Sequence, residues 1–114
     1  MKKIAIVSAK RTPIGRYKGK VRNYSAVELG TTALKGAIDS ANIDPNIIQQ
    51  VIFGNVLQSG VGQNPARQIA IKAGVPDTTP AMTINEVCGS GLKAIILGKQ
   101  LIQLGEADVV AVGG

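Results

Sequence analysis

The chain holds one cysteine, Cys88, in the run Asn85-Glu86-Val87-Cys88-Gly89-Ser90-Gly91. A thiol does its chemistry as the thiolate, which is a nucleophile. The run falls where a strand pattern ends and a helix pattern begins. A helix N-terminus carries unpaired N–H groups and a partial positive charge, and both favour an anion there. The flanking glycines leave the sulfur uncrowded and let a carbonyl come close. An unpaired cysteine is commonly a small buried hydrophobe. The junction of strand and helix is what points to chemistry instead.

Other residue types restrict that chemistry. The sequence has no histidine, so neither a Ser-His-Asp nor a Cys-His site can be assembled from this chain alone. The commonest metal ligand is missing too, and the seven acids are scattered, so no metal is expected. A lone cysteine excludes an internal disulfide and suggests a reducing compartment or a reactive thiol. Much of the net charge of +6 lies in Lys10, Arg11, Arg16, Lys18, Lys20 and Arg22, with no acid among them. Such a segment could meet phosphate groups or nucleic acid. The only aromatic residues are Tyr17, Tyr24 and Phe53, too few for a base-stacking array, so a solvated loop is favoured. Met1 to Val7 begins like a signal peptide, but its apolar run ends at Ala9 against Lys10-Arg11, too soon for one. No apolar run is long enough to span a bilayer. The expectation is a cytoplasmic protein without nucleic-acid or membrane partners.

These residues need a scaffold, and 114 residues at 45% apolar and 18% charged fit one globular domain. With so few aromatics, its core must be Ile, Val, Leu and Ala. Lys3 to Ala9 reads as a buried strand. Ser25-Ala26-Val27-Glu28 matches a capping box, opening a helix whose apolar face is Val27, Leu34, Ala37, Ile38 and Ala41. Gly30 and Gly36 weaken that helix, or allow close packing on a neighbour. Asp44-Pro45 suits a short turn, and Val51 to Leu57 reads as a second strand. Asn64-Pro65 gives an N-cap followed by proline at the first helical position, with Gly74 as the stop and Arg67 on the surface. Ala81 to Val87 is a third strand, and Cys88 opens a third helix running to about Leu104, with Gly105 after it. That helix is apolar over most of its circumference, so it is expected to be interior, with Cys88 at its tip. Asp108 to Val112 is a fourth strand. Strand-helix alternation predicts an α/β fold with a mostly parallel sheet. Its functional edge is at the strands' carboxyl ends, and Cys88 follows the third strand there.

Gly89-Ser90-Gly91-Leu92-Lys93-Ala94 also fits the dinucleotide fingerprint G-x-G-x-x-G/A. It sits in the third strand-helix unit rather than the first, and Asp108 comes before the next strand instead of at its end. A dinucleotide-binding domain is therefore one alternative, and a non-catalytic interaction fragment is another. Asn85 could bond near the turn or satisfy local backbone, and the direction of Glu86 is open.

Asn85-Glu86-Val87-Cys88-Gly89-Ser90-Gly91 resembles the nucleophile motif N-x-x-C-x-S-G of thiolases. Arg11-Thr12-Pro13-Ile14-Gly15 resembles their opening after the first strand. Gly54-Asn55-Val56 with Gly62-Gln63-Asn64-Pro65-Ala66-Arg67 resembles their second strand and following helix. Gly105-Glu106-Ala107-Asp108 through Val112-Gly113-Gly114 resembles the approach to their fourth strand. Among thiolases the sequence is most similar to the short-chain acetyl-CoA acetyltransferase type. The resemblance implies that residues 1–114 form an N-terminal thiolase domain, incomplete before its last strand. It also implies that Cys88 is the catalytic nucleophile, acylated by a thioester while coenzyme A leaves, and that the Cys88 N–H helps hold the oxyanion. A second acetyl-CoA, deprotonated at its α-carbon, then attacks to give acetoacetyl-CoA, reversibly. Coenzyme A thioesters are substrates in this scheme and no cofactor is implied. The complete protein would be a homo-oligomer, a dimer or tetramer. In thiolases an activating histidine, a second cysteine and the main coenzyme A loop lie in parts of the subunit that this sequence does not contain. The chain alone is therefore expected to be inactive. The family's fifth strand would run between the fourth and the first, which here would face an unfilled gap.

Overall fold

The computed structural model describes all residues, Met1–Gly114. Strands β1 (Gln50–Gly54), β2 (Ala81–Ile84) and β3 (Val110–Gly113) alternate with helices α1 (Ala26–Ala41), α2 (Pro65–Lys72) and α3 (Ser90–Gln103). The sheet is parallel, in the order β2-β1-β3. Val51 pairs with Ala81 and Ala111, and the register runs on to Gly54 opposite Ile84 and Phe53 opposite Gly113. All three carboxyl ends thus reach the same edge. Alternation along the central strand divides the core. Val51 and Phe53 join Val27, Leu34 and Ile38 of α1 and Ala66, Ile69 and Ala70 of α2 in one apolar cluster. Ile52, fully buried, lies on the opposite side, where α3 packs on β1 and β3.

The local signals for the starts of α1 and α2 hold. Ser25 Oγ accepts from Glu28 N–H at 3.0 Å while the Glu28 carboxylate accepts from Ser25 N–H at 3.1 Å, completing the capping box. Of the expected apolar face of α1, Val27, Leu34 and Ile38 are buried. Gly30 gives close packing: a Cβ there would collide with the Ile69 side chain of α2. Asp44-Pro45 opens a short 3-10 turn. Asn64 caps α2 and its carboxamide reaches β2, donating to Ala81 O at 3.0 Å and accepting from Thr83 Oγ1 at 2.7 Å. Arg67 is not a free surface side chain. It donates to the carbonyls of Thr79 and Asp77 and so ties α2 to the segment entering β2.

Two expectations fail for one reason, the lack of a covering neighbour. Lys3 to Ala9 is not a strand: residues 1–16 take no regular structure, and Ile6 and Val7 are exposed. A strand is held by ladder bonds to a partner. Ile4–Ser8 instead faces Val109–Val112 across an apolar cavity of about 360 Å³. Nor is α3 interior. Ala94 and Gly98 are buried against the sheet, while Leu92, Ile95 and Ile96 are exposed on faces that nothing covers. No helix is long and apolar enough to cross a membrane.

Candidate active site

Between the end of β2 and the start of α3 lies a five-residue turn, Asn85–Gly89, that presents Cys88 at the carboxyl edge of the sheet. The helix begins at Ser90, two residues after the cysteine rather than at it. Cys88 is exposed. The turn is closed by its own polar groups. Asn85 Oδ1 accepts from Val87 N–H at 2.8 Å, and Asn85 Nδ2 reaches Val56 O at 3.5 Å. Gly89 N–H donates to Glu86 O at 3.1 Å. Ser90 Oγ accepts from Glu86 N–H at 2.8 Å and donates to Val87 O at 2.7 Å. Val87 sits at φ +51, a left-handed conformation that is an outlier for a β-branched residue. The Glu86 carboxylate is directed to Lys93 Nζ at 3.6 Å, an exposed pair.

The turn rests on a floor of glycines. A Cβ at Gly54, the last residue of β1, would fall 2.5 Å from Ser90 Cβ and 2.7 Å from the Ser90 carbonyl carbon. Only a bare backbone lets α3 start over the end of the central strand. Gly114, beyond β3, approaches Gly91 just as closely. The N–H groups of Gly91 and Leu92 in the first turn of α3 have no backbone acceptor, as helix starts require. An accessible sulfur thus stands beside a helix N-terminus whose donors are free. That arrangement suits covalent capture of a carbonyl carbon whose oxygen becomes negative.

Of the residues weighed from sequence, Asn85 serves the turn directly, and Glu86 turns to Lys93. The cations from Lys10 to Arg22 are exposed on irregular backbone and turns, and none is ion-paired. The sequence alone assigns Ser90 and Gly54 no role at the site. Their sequence signals are a hydroxyl at the first helical position after the cysteine and a glycine ending a strand. No group of three or more His, Cys, Asp or Glu side chains comes together in the chain. Asp108 precedes β3 instead of ending it, so the acid a dinucleotide site needs at the strand's carboxyl end is not supplied.

The sequence profile of the thiolase N-terminal domain matches residues 4–114. The chain belongs to the thiolase family. It is 54% identical over 111 residues to a cytosolic acetyl-CoA acetyltransferase of Gibberella zeae, a match covering 97% of this chain and 28% of that protein. It is 53% identical over all 114 residues to a probable acetyl-CoA acetyltransferase of Escherichia coli K12, covering 29% of it. Among solved structures, the Acat5 thiolase of Ascaris suum in complex with coenzyme A superposes with a TM-score of 0.90 at 44% identity, over 91% of this chain and 27% of that one. The chain therefore spans between a quarter and a third of the length of these thiolases, and over that span the α/β fold is theirs.

Proposed function

We propose that Cys88 is the nucleophile of a thiolase that condenses two acetyl-CoA molecules to acetoacetyl-CoA and coenzyme A. The observation that carries this is the placement of an exposed cysteine on a strained turn, next to unpaired helix N–H groups, at the carboxyl edge of a parallel sheet. Cys88 Sγ attacks the thioester carbonyl. The bond to the coenzyme A sulfur breaks, coenzyme A leaves as its thiol, and an acetyl-Cys88 thioester remains. A second acetyl-CoA gives up an α-proton, and its carbanion attacks the acetyl carbon. Acetoacetyl-CoA departs and the Cys88 thiolate is restored. Thioester exchange keeps the acyl group activated throughout. The Cys88 N–H at the helix entrance stabilises the oxyanion in both halves of the cycle.

Proton transfer in this scheme needs groups outside residues 1–114, because this chain has no histidine and no second cysteine. Residues 1–114 serve as the nucleophile-bearing part of the N-terminal domain, and alone they carry out no turnover. The complete protein acts as a cytoplasmic dimer or tetramer, with coenzyme A thioesters as substrates and no cofactor. The names of the similar acetyl-CoA acetyltransferases support the choice of acyl group. In the test, Cys88→Ala is placed in the complete protein and acetoacetyl-CoA formation is followed. Loss of turnover is expected, and full retention would exclude Cys88 as nucleophile.

A further inference from the structure

We infer that Ser90 is a positioning residue for Cys88, fixing the direction of the peptide that carries the cysteine's N–H; this rests on the assignment of Cys88 as the nucleophile. Ser90 is only 4% exposed, and its hydroxyl both donates and accepts within the turn. It accepts from Glu86 N–H and donates to Val87 O, and the Ser90 N–H also donates to Val87 O at 3.2 Å. One residue therefore holds the backbone on both sides of Val87. Val87 is β-branched and sits at φ +51, which a chain adopts only where its surroundings over-determine it. In a trans peptide the C=O and the following N–H point opposite ways. With Val87 O drawn to Ser90, the Cys88 N–H must face away from α3's first residue, out of the turn. The Ser90 side chain is seated against Gly54, where even a methyl group would collide with it. Its only donor proton is committed to Val87 O.

The test compares two reactions of the same sulfur in the complete protein: acylation by acetyl-CoA and alkylation by iodoacetamide. Acylation needs the sulfur and an oriented N–H donor, whereas alkylation needs only the sulfur. In Ser90→Ala, acylation should slow roughly 10- to 100-fold with the KM for acetyl-CoA little changed, and alkylation should slow much less. Adding Val87→Asn, a residue that tolerates the left-handed conformation, should restore much of the acylation rate. Wild-type acylation in Ser90→Ala, or equal slowing of both reactions, would overturn the inference. If Ser90→Ala does not fold, the double variant decides: rapid acylation supports positioning, and slow acylation in a folded double variant overturns it. Failure of the Cys88 assignment itself would show separately, as a wild-type protein that takes no acetyl group on Cys88.

Discussion

Gly54 and Ser90 are in contact through a missing atom: a Cβ on the glycine would stand 2.5 Å from the Cβ of the serine. The last residue of the central strand thereby sets where α3 begins, and with it the height of the turn holding Cys88. Because Ser90 Cβ and backbone both lie in the way, Gly54→Ala must displace the start of the helix. A loss of about 1–3 kcal/mol is expected, the usual range for overpacking, read from the urea midpoint. An unchanged midpoint would mean that the helix start moves freely.

Asn64 performs three tasks at once, capping α2, donating to Ala81 O and accepting from Thr83 Oγ1. It also sits at φ +47, where asparagine is tolerated better than most residues. Asn64→Ala removes a cap worth about 1 kcal/mol and adds backbone strain, so its stability loss should exceed that of Thr83→Val. Equal losses in chemical denaturation would show that Thr83 Oγ1, rather than Asn64, organises this junction.

The Glu86–Lys93 pair lies beside Cys88 in sequence, but its side chains are 57% and 40% exposed. Water and salt screen such a pair, and it is worth less than about 1 kcal/mol. Lys93→Ala should leave the unfolding midpoint nearly unchanged at physiological ionic strength. A large loss would show that the ion pair, rather than the Ser90 clasp, closes the turn.

What could be read from the sequence was what is decided locally. The Ser25–Glu28 box and the Asn64-Pro65 start involve residues within one helical turn, and both are present. The strand-helix alternation after residue 25 gave the parallel sheet. Lys3 to Ala9 has a strand's composition, yet a strand also needs a partner, and composition does not say whether one lies alongside. The apolar residues of α3 likewise did not disclose that its outer faces stay uncovered. Cys88 was legible as a candidate nucleophile because its type and setting are unusual in this chain. The clasp formed by Ser90 was not, because its two bonds depend on Val87 adopting a backbone conformation that valine rarely takes.

The open edge of β3 makes a prediction for hydrogen exchange. In the 114-residue chain, the amides of Ile4–Ser8 lie across a cavity from β3 without ladder bonds and should exchange rapidly. Those of Val51–Phe53, in the middle of the sheet, should exchange slowest. Comparable protection in both segments would place residues 4–8 in a paired strand.

The most direct test of the account is to mix the complete protein with acetyl-CoA, quench within a turnover and locate the acyl group by peptide mass spectrometry. The account predicts a mass gain of one acetyl group on the peptide containing Cys88, absent from Cys88→Ala, which also loses condensation activity. An acetyl group found only elsewhere, or a Cys88→Ala protein as active as the wild type, would contradict it.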